Sequence, residues 1–170
     1  KIQSLSKKFN IRIESLTGDC FMQSPFWKFK KYKRQKLQND FLNIIQASSR
    51  VGIKKIIVPL VDNGSLQNSS QQKIIIKFMK NITKILKKNK QMVLFELDME
   101  PKKTNNFISK FNSKYFGINY DIGNSASLGF DPKKEFITYG KRIKNVHILS
   151  LRESMAMTAS FIQMKITKML

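Results

Sequence analysis

Apolar positions along the chain switch repeatedly between two spacings, every second residue and every third or fourth. "NIRIESL" (10–16) alternates apolar and polar residues as a strand does. Leu37, Phe41, Ile44, Ile45 and Val51 then share one helical face, which stops at Gly52. "KKIIVPLVD" (54–62) is a continuous β-rich run, the pattern of a parallel strand buried on both faces. A polar loop, "NGSLQNSS", offers Ser69 or Ser70 as the next N-cap. Ile75, Phe78, Met79, Ile82, Ile85 and Leu86 make a helix closed by "KKNK", a charge that suits a helix C-terminus. "MVLFELDME" (92–100), "YFGINYDIG" (115–123) and "KNVHILSL" (144–151) read as strands three to five. Between them fall a short helix over 105–111 and a helix within 131–140. The latter has Asp131 as cap, Pro132 at its first position and Gly140 at its stop.

Strand and helix alternate at least four times, which predicts an α/β fold with a parallel sheet. A doubly wound sheet and a (β/α)₈ barrel both fit this rhythm. Neither G-x-G-x-x-G nor G-x-x-x-x-G-K-[ST] occurs, so the nucleotide-binding versions lack support. The final "LRESMAMTASFIQMKITKML" is Met-rich and breaks the rhythm, so residues 149–170 read as an atypical tail.

At 170 residues the chain suits one domain with a sizeable core. It begins with Lys1 rather than methionine, which predicts a removed start or a piece of a longer chain. One cysteine, Cys20, leaves no internal disulfide and fits a reducing compartment. No apolar run reaches the roughly 18 residues of a membrane span, and no secretory leader pattern opens the chain. The expectation is a cytoplasmic protein with no membrane partner. No feature sets the oligomeric state, and a homo-oligomer stays open.

The net charge of +21 invites a nucleic-acid reading. The lysines, however, are spread over every element, alongside abundant Ile, Asn and Phe. The densest cluster, "FWKFKKYKRQK" (26–36), interleaves Phe26, Trp27, Phe29 and Tyr32 with basic residues. Stacking plus phosphate pairing could bind single strands there. A solvated surface helix with snorkelling lysines is the preferred reading, and an anionic small substrate also suits the charge.

In parallel α/β folds, chemistry gathers at the carboxyl ends of strands. The second strand ends at Asp62, and the third carries Glu96, Asp98 and Glu100. The fourth carries Asp121, and the fifth carries His147, the single histidine. Two-residue spacing predicts that Glu96, Asp98 and Glu100 share a face. Buried like charges are costly without a compensating cation. Glu96, Asp121 and His147 on successive strands can converge on one divalent ion, and their donor set suits Mn, Co, Zn or Mg. Each has a plainer alternative: a strand-end Asp often caps the next helix, and a lone His often just packs.

Taken together, "GIKKIIVPLVDNGSL", "LFELDMEP", "INYDIGNSASLGFDPKKEF" and "RIKNVHI" resemble the sugar-phosphate isomerases and epimerases of the xylose-isomerase-like TIM-barrel superfamily. "GDCFMQSPFW" also resembles a family loop after an early strand. The resemblance spans roughly residues 9–148. It implies a partial (β/α)₈ barrel of about five βα units within residues 1–148. It also implies a divalent metal held by Glu96, by Asp121 in "DIGN" and by His147 in "NVHI". The substrate implied is a sugar or sugar phosphate. The metal would polarise its carbonyl while Glu96 moves a proton beside it, through an enediolate. Glu100, Asn124 and Asp62 would contact substrate.

Two departures qualify this. The family's H-x-K-D continuation is replaced by "HILSLRE", and a second glutamate expected past Leu170 is missing. A truncation or a shifted reading frame would account for both, and would leave this chain short of a fourth ligand and inactive alone. The other readings are an abasic-site endonuclease-like barrel, which would demand more histidines, and a non-catalytic basic binding protein using the 26–36 cluster.

Overall fold

The computed structural model describes residues 2–148. Residues 149–170, which hold the last part of the expected fifth strand and the atypical tail, lie outside the described residues.

The first helix, α1 (Ile2–Lys8), buries none of its residues. Strand β1 is Ser15–Thr17, shorter than the alternation over 10–16 predicts. Ile11 and Ile13 of that stretch are exposed, so their alternation has no buried face to satisfy. Helix α2 (Asp19–Gln23) and a 3-10 turn over Phe26–Lys28 follow. Then comes α3 (Lys31–Arg50), which starts a turn and a half before its apolar stripe. Strand β2 (Lys55–Leu60) leads to α4 (Ser69–Asn81), α5 (Thr83–Asn89) and β3 (Met92–Leu97). Helix α6 is Pro101–Ile108, β4 is Phe116–Asp121 and α7 is Ile122–Ser127. Helix α8 (Pro132–Tyr139) and β5 (Ile143–His147) complete the described chain.

Several local expectations shift for identifiable reasons. Asn68, not Ser69 or Ser70, caps α4, accepting from the Gln71 backbone N–H at 3.0 Å. The apolar stripe from Ile75 to Leu86 is divided at Ile82 into two helices rather than one. Proline at the first position starts α6 at residue 101, earlier than the apolar pattern suggests. For α8 the ends are as expected: Asp131 Oδ1 accepts from the Lys133 N–H at 2.9 Å, and Gly140 is the C-cap.

The strands form one all-parallel sheet in chain order, β1-β2-β3-β4-β5, with a helical segment between successive strands. This is a half-barrel of TIM type, which resolves the choice left open by periodicity. One sheet face packs on the helices. Val58, Phe95 and Ile118 there join Phe41, Ile45, Phe78, Met79, Phe107 and Phe111 in the core. Phe95 meets Phe107 at a centroid distance of 5.3 Å and Phe26 meets Phe78 at 4.7 Å. Burying each such ring contributes roughly 2 kcal/mol. The aromatics of the 26–36 cluster belong partly to this core. Phe26 and Trp27 are buried, and Trp27 Nε1 donates to the Gly64 carbonyl at 3.0 Å. The cluster is therefore not one solvated helix.

The other face of the sheet carries Ile57, Leu94, Glu96, Gly117, Asn119 and Asp121, in agreement with the strand register. Between β4 and β5 the register slips: Ile118 pairs with Ile143, but Asn119 pairs with Asn145. Lys144 is thus an extra residue, and the bulge brings His147 opposite Asp121.

Candidate metal centre

The carboxyl ends of β3, β4 and β5 bring Glu96, Asp121 and His147 together. One ligand atom from each lies within 4.8 Å of the other two. Glu96 and Asp121 are buried and His147 is partly exposed. His147 Nδ1 lies 3.5 Å from Glu96 Oε2.

Asp121 is both the last residue of β4 and the N-cap of α7, so its backbone stays extended while its side chain turns over the helix start. Its Oδ1 accepts from the Asn124 N–H at 2.8 Å, whereas Oδ2 is buried with no hydrogen-bond partner. The capping alternative and the ligand reading therefore use different oxygens of one carboxylate. Glu96 is held from two sides. Asn119 Nδ2 donates to Oε2 at 2.7 Å, and Asn124 Nδ2 donates to Oε1 at 2.8 Å. Burial pushes the Glu96 carboxyl above its ordinary value. Asn119 pulls it back, the Asp121 charge raises it again, and His147 and Asn124 act downward.

The remaining expected residues separate. Asn124 joins the cluster, through both its side chain and its backbone. Glu100 does not: β3 ends at Leu97, so the period-2 argument stops there. Glu100 instead precedes α6, with a side chain 64% exposed and 3.6 Å from Lys103 Nζ. Asp98 turns to accept from Ser65 Oγ at 2.5 Å. Asp62 is exposed at the start of a 3-10 turn after β2. Asn119 was missed by the sequence reading, although its place two residues before Asp121 put it on the same strand face.

Behind the sheet, Glu135 of α8 is buried and accepts from Tyr120 (2.8 Å), Ser125 (2.5 Å) and Tyr139 (2.6 Å). Burial, with the Glu135 carboxylate beside them, holds both phenols well above their ordinary value, so they remain donors. This network ties α7 and α8 to β4 beneath the Asp121–Asn124 turn.

The cluster meets the demands of a divalent cation. It offers two carboxylates and an imidazole, a donor set suited to Mn, Co, Zn or Mg. Two like charges are buried together, and the unpartnered Asp121 Oδ2 is the kind of orphan acceptor a cation satisfies.

Consecutive parallel strands, helices on one face and a polar cluster at the carboxyl mouth define an α/β half-barrel with a TIM-type functional end. No protein-family model and no curated protein matches the sequence. Solved structures do match in fold. One is 3-keto-D-glucoside 4-epimerase YcjR from E. coli, with a TM-score of 0.69 and 13% identity over 87% of this chain and 62% of that one. D-psicose 3-epimerase, solved in the presence of D-fructose, gives 0.71 and 11%, over 86% of this chain and 56% of that one. The IolI protein with a bound zinc atom gives 0.63 and 14%, over 87% and 56%. The chain thus spans a little over half the length of these structures. Its fold is that of a partial TIM barrel. Among the described residues no helix is long and apolar enough to cross a membrane.

Proposed function

We propose that the chain belongs to a divalent-metal-dependent isomerase or epimerase acting on a ketose or sugar phosphate. The observation that carries this reading is the convergence of Glu96, Asp121 and His147 beside an unpartnered carboxylate oxygen. The sugar isomerases and epimerases among its structural neighbours, and the zinc in one of them, support it.

Glu96, Asp121 and His147 would hold the metal, whose contribution is to polarise the substrate carbonyl. Glu96 takes the proton from the carbon beside that carbonyl. Asn119 and Asn124 fix both Glu96 oxygens, so the base arrives oriented. Asp121 positions the start of α7, and with it the Asn124 amide. Glu96 returning that proton to the neighbouring carbon would give an isomer, whereas an epimer would need a second acid to protonate the same carbon from the other face. Burial of Phe26 and Trp27 removes two of the four aromatics of the stacking platform that a nucleic-acid reading needs.

Calorimetric titration of the 170-residue chain with Zn²⁺, Mn²⁺, Co²⁺ and Mg²⁺ tests the site. One equivalent bound, and lost in Asp121→Asn and His147→Ala, is expected. No binding by the unsubstituted chain sinks the reading. Metal-dependent exchange of a ketose C–H for solvent deuterium, followed by NMR, then tests the chemistry.

A further inference from the structure

Asn119 sits one step below the ligand cluster on β4, 1% exposed. Its Nδ2 donates to Glu96 Oε2 at 2.7 Å and lies 3.0 Å from His147 Nδ1. Its Oδ1 accepts from Asn145 Nδ2 at 2.8 Å. Asn145 Oδ1 in turn lies 3.5 Å from Lys55 Nζ. A hydrogen-bonded chain therefore crosses the half-barrel from β2 through β5 and β4 to Glu96 on β3.

Its direction follows from the inventory of donors and acceptors. An ammonium group only donates, so the end of Asn145 that meets Lys55 is its oxygen. Asn145 then presents its NH₂ to Asn119, which must answer with oxygen. The Asn119 NH₂ is left facing Glu96 and His147. A flip of either amide would set oxygen against oxygen, or NH₂ against NH₂ or the ammonium. Facing that NH₂, both partners accept: Glu96 through Oε2, and His147 through a bare Nδ1 with its proton on Nε2.

We propose that Asn119 is a positioning residue that holds the Glu96 side chain in place and His147 in the tautomer with Nδ1 bare, and that Lys55, through Asn145, sets its direction. The proposal rests on the reading of the cluster as a metal site. Nδ1 is the ring nitrogen that lies 3.5 Å from Glu96. A proton there would have to leave, or the ring turn, before that nitrogen could bind a cation. The amide hydrogen bond is a smaller obstacle, since a neutral bond contributes only about 1 kcal/mol net.

The chain has one histidine, so ¹⁵N-labelled histidine gives a single imidazole spectrum. NMR of the metal-free full chain at about pH 8, where an ordinary imidazole is neutral, is expected to show the proton on Nε2. Asn119→Asp sets a carboxylate against Nδ1 and is expected to draw the proton there. A wild-type proton on Nδ1, or an unchanged tautomer in Asn119→Asp, overturns the proposal. Asn119→Leu is expected to weaken zinc binding by about tenfold or more, as loss of an orienting partner does, and unchanged affinity overturns it. Lys55→Met leaves the direct contacts in place and is expected to give mixed tautomers; a wild-type spectrum removes Lys55 from the device. The NMR readings need no metal, so they can fail while zinc still binds, and the reverse failure strikes only the metal reading.

Discussion

Asp121 and His147 are register partners across β4 and β5, and Asp121 turns one oxygen to the start of α7 while leaving the other buried and unpaired. Asp121→Asn separates these two tasks. The amide oxygen keeps the cap to Asn124, and the new NH₂ removes a buried negative charge. The metal-free variant is expected to gain on the order of 1 kcal/mol in chemical denaturation. Zinc affinity by calorimetry should fall at least tenfold. A destabilised variant with intact zinc binding would contradict both halves.

Glu96 has its carboxyl pushed up by burial in the folded chain. The folded state therefore holds its proton to higher pH than the unfolded state does. This group's contribution to stability falls as pH rises from the ordinary glutamate value through the raised one. Glu96→Gln removes that loss. Without metal, the variant's melting advantage over the wild type should grow from about pH 4 to pH 7. A constant difference across that range would rule out a buried, strained carboxylate.

Glu135 accepts three hydroxyl hydrogen bonds behind the site. Glu135→Leu would take the acceptor from the buried hydroxyls of Ser125 and Tyr139 and leave Tyr120 with only Ser125 Oγ at 3.1 Å. A loss of roughly 2–4 kcal/mol in denaturant unfolding is expected. A loss below about 1 kcal/mol would mean that water replaces the carboxylate.

Gly117 has no room for a methyl group. A Cβ there would lie 2.7 Å from Lys144 Cγ, 2.9 Å from the Arg142 carbonyl oxygen and 3.0 Å from Leu94 Cδ2. The Arg142 contact is backbone and cannot swing away. Gly117→Ala is expected to cost about 1–3 kcal/mol. Because it presses on the bulge at Lys144, it should also weaken zinc binding through His147. Wild-type affinity in a folded variant would show that the bulge tolerates the shift.

The sequence by itself determined the alternation of strands and helices, because burial on both faces of β2 demands a continuous apolar run that no surface strand needs. It also placed Glu96, Asp121 and His147 on three successive strands, since each lies within a strand-like run separated from the next by a helical pattern. Its shared-face argument does not reach Glu100, because period-2 alternation holds only while the strand lasts and β3 ends at Leu97. It took 26–36 for a surface helix, because local polarity does not reveal that Trp27 reaches the Gly64 carbonyl. Only the tertiary structure decided that Lys144 bulges out and so turns His147 to Asp121. It alone joined Lys55, Asn145 and Asn119 into one chain of hydrogen bonds. Register and long-range pairing depend on which strands become neighbours, and no local pattern of side chains carries that information.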